Sequence, residues 1–495
     1  MSETLQPDPR RWKALIFIAL AQLMVVLDAT VVNIALPSAK EDLGFADSTT
    51  QWVITAYALA FGGLLLFGGR VADLWGRRRT FMLGLVGFAA ASAIGGAAVN
   101  TTMLLGARAL QGVFGALLAP AALSLLAVMF SDGKERAKAF GIYGAVAGGG
   151  GALGLILGGA LTEYLNWRWT FYINIPFAAI AIAGAVLVIR EPAAGLNRNR
   201  LDIPGVLLVT TGLVSLVYGF TRAESAGWGD SSTIGLFIAA AVLLAAFVLV
   251  ERRVSAPLLP LRVLTDRNRG GVYLSLGMAV IGMFGLFLFL TLYMQGVLHY
   301  KPVVNGLAFL PMVAGMITGS TQIGARLMTR IPARYLMAPG FLVASLGLLI
   351  LTRIEVGTSY WQILPGLILM GLGMGTAFMP AMSLATYGVQ PRDAGVASAM
   401  VNTSQQVGGA IGTALLSTVA HSAGTEWAKS HAATATDPQL FQLQAQVHSY
   451  STAIWWAVGI LVLASLTAFT LINAGKPEHH ESTSELEDAV PVMAH

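Results

Sequence analysis

The sequence predicts an all-α polytopic membrane protein, and three observations lead there. Charged residues are 11% of the 495, where soluble chains carry about a quarter, while apolar residues reach 56% and mean hydropathy is +0.70. So few charges cannot cover a soluble surface. The apolar residues are gathered into runs that match the roughly 20 helical residues needed to cross a hydrocarbon core of about 30 Å. Lys and Arg collect in alternate connecting segments, as they do on the cytoplasmic side of a membrane.

The elements follow in chain order. The first run, 14–36, succeeds a polar arm and lacks a small-residue cleavage site, so it is expected to be a retained helix. Runs at 51–69, 80–99, 102–128, 138–162 and 169–189 complete a set of six. A pair at 203–221 and 233–250 comes next. A second set of six lies at 271–296, 303–325, 335–352, 361–387, 394–420 and 452–473, giving fourteen spans. With the N-terminus inside, the only bases in the outer loops are Lys40, Arg168, Arg222, Lys301, Arg353 and Lys429. A multi-pass protein of the plasma membrane with both termini cytoplasmic is therefore expected.

The chain repeats itself. Gly150-Gly151-Ala152-Leu153-Gly154 recurs as Gly408-Gly409-Ala410-Ile411-Gly412, Pro120 is matched by Pro380, and Gly69 by Gly324. Duplicated six-helix halves meeting around a midplane site are a transporter architecture. The expected division is 1–190 for the N-terminal half, 191–269 for the inserted pair and its linkers, 270–474 for the C-terminal half, and 475–495 for a polar, acidic, disordered tail. The inserted pair has no charge within the membrane and few polar groups (Thr210, Thr211, Ser215, Tyr218), so it is expected to be a peripheral spacer.

Two charges remain inside the spans, Asp28 and Arg108. Asp28 is roughly 20 Å along the first helix at 1.5 Å per residue, and Arg108 on the antiparallel fourth helix lies at a matching depth. A charge at the bilayer centre costs about 2.5–3.5 kcal/mol on insertion scales, so each should face a cavity or the other. Such a pair suits a carboxylate that gains and loses a proton.

Several motifs carry a family likeness. LDATVVNIALP at 27–37 and QWVITAYALA at 51–60 resemble the start of the 14-helix drug:proton antiporters of the major facilitator superfamily. GRVADLWGRRR at 69–79 is similar to that superfamily's loop motif, with Gly69, Asp73, Gly76, Arg77 and Arg78 in place. RALQG at 108–112 resembles its fourth-helix motif, whose arginine is implicated in proton coupling. NWRWTFYINIP at 166–176 and TLYMQGVLHYKPVVNGLAFLPM at 291–312 extend the likeness. The resemblance implies a major facilitator fold of two six-helix halves plus two inserted helices, with proton coupling through Asp28 and Arg108. The chain departs from the family where Leu155 follows Gly154 in place of the usual Gly-Pro, and where the second half offers Asn402, Gln405 and Gln406 rather than further carboxylates.

In the 69–79 loop, Asp73 stands amid bases. It is expected to bridge to Arg77 and to the positive N-terminus of a helix in the other half, a contact present in only one transport state. Met328 takes its place in the second half. For a promiscuous site of aromatic and polar surface, the candidates are Asn33, Tyr57, Gln111 and Tyr143 from the first half and Phe284, Phe287, Tyr293 and Gln405 from the second.

Other classes fit poorly. Without cysteine there is no disulfide framework, thiolate metal site or cysteine nucleophile. No Gly-Lys-Ser or Gly-Lys-Thr phosphate loop, HExxH or GxSxG occurs, which argues against an ATP-driven pump and a membrane enzyme. A receptor would want an output domain. The expectation is a secondary active transporter and not an enzyme, with protons, a small-molecule substrate and the lipid bilayer as partners. No cofactor, metal or nucleic acid is expected, and a monomer is. Proton-driven efflux of amphipathic drugs or antibiotics, cationic or neutral and aromatic, is the leading reading. Proton-coupled uptake and export of one dedicated metabolite are the alternatives.

Overall fold

The computed structural model describes residues 10–45, 47–130, 132–189, 201–432 and 437–475. The side chain of Asn33 and residues 476–495, which make up nearly all of the tail expected to be disordered, lie outside the description. The first half holds α1 (Arg11–Leu43), α2 (Asp47–Trp75), α3 (Arg77–Gly96), α4 (Thr101–Met129), α5 (Gly133–Tyr164), the single turn α6 (Trp169–Tyr172) and α7 (Asn174–Val188). The insert is α8 (Ile203–Ala226) and α9 (Ser231–Glu251). After α10 (Leu261–Thr265), the second half holds α11 (Arg267–Leu292), α12 (Pro302–Ala308), α13 (Leu310–Thr318), α14 (Ala325–Leu327), α15 (Arg334–Leu351), α16 (Tyr360–Thr386), α17 (Ala394–His431) and α18 (Pro438–Leu471). Side chains of Asn100, Asp132, Asp202, Asp230, Asp266 and Asp437 accept backbone N–H groups that the first helical turn leaves open.

Among the described residues twelve helical spans are long and apolar enough to cross a membrane, and α5, bent near its middle, makes thirteen. The 38-residue α17 falls short in apolarity because Asn402, Thr403, Ser404, Gln405 and Gln406 stand in a row within it. An expected total of fourteen is compatible with this set.

The duplication is visible in the packing. In the first half α1 packs on α5 and α7, α2 on α4, and α3 on α4 and α7. In the second, α11 packs on α17 and α18, α13 on α16, and α15 on α16 and α18. Each helix of one half thus has a counterpart with the same neighbours. The seam between the halves follows the same rule, with α2 and α4 against α17 on one side and α13 and α16 against α5 on the other.

The insert breaks that symmetry. Helix α8 packs on both α2 and α17, along one side of the seam, while α9 packs on α8. The insert lies at the outside of the bundle, as expected of a spacer, and α8 meets α2 and α17 through a buried small and β-branched face (Gly205, Val209, Gly212). Helices α17 and α18 also run well past the expected limits of 420 and 452. Beyond the apolar stretch they hold each other through Trp427, which packs on Phe441 and His448 of α18. Hydropathy marks where lipid ends, not where a helix does.

Arg77, Arg78, Arg79, Lys134, Arg136 and Lys138 share one end of the bundle, the basic end, since α2 and α4 end and α3 and α5 begin there. There the seam is closest at Gly69, where a Cβ would lie 2.5 Å from Gly395 O and 2.7 Å from Ala399 Cβ. Overpacking of this kind costs about 1–3 kcal/mol. Gly69→Val is therefore expected to part α2 from α17 and to speed maleimide labelling of a cysteine introduced as Ala397→Cys, whose position is buried here. Unchanged labelling would contradict the close approach.

Candidate functional site

Helices α1 and α4 cross at the depth of their lone charges, and the two side chains meet. Arg108 Nη1 donates to Asp28 Oδ2 at 2.7 Å, with both residues no more than 2% exposed. The other carboxylate oxygen, Oδ1, accepts from Gln111 Nε2 at 2.7 Å and from Asn174 Nδ2 at 2.8 Å. Ser92 of α3 accepts from the same two amides. The guanidinium has further support, since Arg108 Nη1 donates to Gln111 Oε1 at 2.8 Å, Arg108 Nε donates to Val53 O at 3.2 Å, and its carbon sits 4.4 Å over the Tyr57 ring. Five helices of one half, α1, α2, α3, α4 and α7, thus converge on one buried ion pair. Every charge-bearing atom so engaged is satisfied, as a buried pair requires.

Away from the basic end, an apolar layer of Val32, Leu36, Val53, Leu104, Trp167 and Phe171 covers the pair. Beyond it Asp42 accepts from Arg168 Nη1 at 2.5 Å and from Trp167 Nε1 at 3.1 Å. These bonds, that to Arg168 foremost, hold the exposed Asp42 carboxyl below its ordinary range.

A second polar assembly lies at the basic end. Asp73 Oδ1 and Oδ2 accept from the backbone N–H of Gly395 at 2.8 Å and Val396 at 3.1 Å, capping α17 of the other half. Arg77 Nη2 donates to Asp73 at 3.3 Å and also to Pro391 O, while Arg77 Nε donates to Ser124 Oγ at 2.8 Å. Gly76, with φ at 110°, makes the sharp break between α2 and α3. Arg78 Nη2 donates to Val186 O at 3.1 Å, at the C-terminus of α7. Across the seam Arg136 is inserted between the C-terminal ends of α4 and α16, donating to Ala127 O and Phe130 O on one and to Ser383 and Thr386 on the other. Each side of the seam therefore carries its own charged clasp, an acid at a helix N-terminus and a base at two helix C-termini.

The remaining candidates are scattered. Tyr143 donates to Gln22 Oε1 at 2.7 Å, tying α5 to α1. Phe287 reaches across the seam toward Gly151 and packs on Phe309. Phe284 rests against Gly409 and Gly412 of its own half and is 44% exposed. Tyr293 is buried at the far end of α11, where it donates to Glu355 O at 2.6 Å. Gln405 Nε2 is buried without a partner. Ser92, Asn174 and Arg136 were not anticipated. Asn174 had a signal, an amide inside the NWRWTFYINIP stretch. Ser92 had none in an Ala-rich helix, and Arg136 reads as one more anchor among loop bases.

Paired six-helix halves about a common seam, with the Asp28–Arg108 pair enclosed in the first of them, define a membrane transporter rather than an enzyme. The chain belongs to the Major Facilitator Superfamily, whose sequence model matches residues 18–413. It is similar to the puromycin resistance protein pur8 of Streptomyces alboniger, 53% identical over 471 residues that cover 94% of this chain and 92% of that protein. It is also similar to the cephamycin export protein CmcT of Amycolatopsis lactamdurans, 40% identical over 82% of this chain and 84% of that one. Its fold matches that of the proton:xylose symporter XylE with a TM-score of 0.65 over 94% of this chain and 97% of that chain, at 13% identity.

Because Asn174 donates to a buried carboxylate, Asn174→Ala is expected to lower stability by about 1.5–3 kcal/mol, the range for a hydrogen bond to a charged group. Thermal unfolding in detergent checks this, and an unchanged transition would remove α7 from the site.

Proposed function

We propose that this protein exports amphipathic small molecules of the antibiotic class by alternating access, driven by the proton gradient, with Asp28 as proton carrier and Arg108 as its counter-charge. The observation that carries the reading is the asymmetry of the pair's partners. Three donors occupy three of the roughly four lone-pair sites of the Asp28 carboxylate, so a proton can enter at the remaining one, on Oδ2, and weaken the charge-assisted bond from Arg108. Arg108 keeps Val53 O, Gln111 Oε1 and the Tyr57 ring when it lets go. The pair can therefore open without leaving a guanidinium unsupported, which lowers the cost of protonating a buried acid. The same opening would move α1 against α4 and α2, and so couple proton uptake to the apolar layer above.

Relatives that confer puromycin resistance or export cephamycin support the direction of transport and the substrate class. The substrate path is proposed to run along the seam, among Tyr143, Phe287 and Gln405, with Asn33, Phe284 and Tyr293 as further contacts in other states. Asp73 with Gly69, Gly76, Arg77 and Arg78 would act as a gate at the basic end, which is taken as cytoplasmic, as are both termini. Release of the clasp would then admit substrate.

Everted membrane vesicles loaded by an imposed proton gradient test this with puromycin as the probe. The wild type is expected to accumulate it, and Asp28→Asn, present in the membrane at the wild-type level, to lose gradient-driven accumulation because an amide cannot take up the proton. Gradient-driven accumulation at the wild-type rate in Asp28→Asn would overturn the coupling role. Accumulation in right-side-out vesicles instead would make the protein an uptake system.

A further inference from the structure

The base of the insert holds two acids that the site above does not use. Asp202 precedes α8 and Glu251 ends α9, which places both at the basic end, and they are 6% and 4% exposed. Asp202 Oδ1 accepts from Gly205 N–H at 3.0 Å. The Glu251 oxygens accept from Leu258 N–H at 3.2 Å and Leu259 N–H at 3.1 Å. Asp202 Oδ2 is buried with no partner. It faces the other acid, for a methyl group on Gly205 would collide with both Asp202 Oδ2 and Glu251 Oε1, so these oxygens are within about 5 Å of each other.

Two carboxylates in one buried place cannot both stay ionised without a counter-charge. Among the described residues none pairs with them. Arg252 and Arg253 follow Glu251 and are exposed, Arg262 of α10 is bonded to Asp393 and Gln390, and Arg269 pairs with Asp266. On α2 and α17, which pack against α8, the charged groups at this end are Arg70, Asp73 and Asp393, and Asp73 caps α17. What the orphan oxygen lacks is a donor, and a proton on the neighbouring carboxyl is one. We propose that Asp202 and Glu251 form a second proton-binding site, separate from Asp28, in which the two carboxyls share one proton at neutral pH.

That proton holds more than two side chains. Leu258 and Leu259, fixed by Glu251, pack in one cluster with Leu66 of α2 and Val396 and Ala397 of α17. A few residues on, Arg262 bonds Asp393, just before the helix end that Asp73 caps. Loss of the proton sets the acids against each other and loosens this link beside the clasp. The bound proton stabilises at neutral and lower pH, and its contribution is lost as pH rises.

Purified full-length protein titrated from mildly acidic to alkaline pH provides the test, with thermal unfolding and maleimide labelling of Ala397→Cys as readouts. In the wild type, labelling measured relative to the same cysteine in unfolded protein, which removes the thiol's own ionisation, is expected to rise by up to about tenfold per pH unit through the step, the limit for one proton, as stability falls. Asp202→Asn, whose Oδ1 keeps the Gly205 N–H while its amide takes the place of the orphan oxygen as a permanent donor, is expected to flatten both curves while matching wild-type stability at neutral pH. The infrared carbonyl band of a protonated acid should vanish with it and persist in Asp28→Asn, which separates this site from the coupling site. If Asp202→Asn fails to accumulate, Glu251→Gln is expected to lose the pH step as well, at lower stability because its amide cannot also accept from Leu258 N–H. A wild-type pH step in these variants would overturn the proposal, and so would loss of the step in Arg198→Gln or Arg200→Gln, since a guanidinium rather than a proton would then neutralise the acids.

Discussion

An ion pair enclosed in a lipid-spanning bundle must be satisfied within the protein, and the first half is arranged around that requirement. Asp28 and Arg108 draw a hydrogen-bonding or ring contact from α2, α4 and α7 onto α1, and Ser92 of α3 accepts from the two amides that serve Asp28. Small residues make the approach possible. At Gly112, one turn from Arg108, a Cβ would lie 2.6 Å from Tyr57 O, so α2 and α4 come close enough for the guanidinium to reach a backbone carbonyl. Under the proposed coupling the pair acts as a switch, because a proton on Asp28 weakens its charge-assisted bond to Arg108.

The two halves share one packing scheme, and the places where they differ carry the chemistry. The ion pair exists in the first half only. At the basic end Asp73 caps α17, whereas the equivalent position is Met328 and the other side of the seam is clasped by Arg136 instead. Both clasps bind helix termini, so they depend on axial position and break if the halves rock apart. The insert adds a third asymmetry by lining the seam along α2 and α17 alone. Trp52 of α2 packs on Tyr218 of α8 at 5.5 Å, on the side of α2 that turns away from Arg108. A helix that reports to the ion pair on one face is therefore braced by the insert on another.

Much of this was legible in the sequence. Two lone charges at equal depth in antiparallel helices announce a pair, and an acid among bases at a helix break announces a contact to something positive. Repeated glycine and proline positions announce the duplication. What the sequence could not supply was the lateral arrangement. Ser92 and Asn174 join the site because α3 and α7 pack on each other, a fact that no local pattern encodes. Arg136 is indistinguishable from a loop base until α16 is set beside α5. The acids of the insert lie at helix ends, where hydropathy treats them as solvated, and only the fold of the 252–260 link over them makes them buried.

Export driven by proton uptake at Asp28, as proposed, requires that protonation and substrate binding oppose each other. The direct measurement is the dissociation constant of puromycin for the purified protein as a function of pH. The account expects affinity to weaken as pH falls, approaching about tenfold per pH unit where one proton competes, and expects Asp28→Asn to bind with no such slope. The same slope in Asp28→Asn, or a wild-type affinity indifferent to pH, would contradict it.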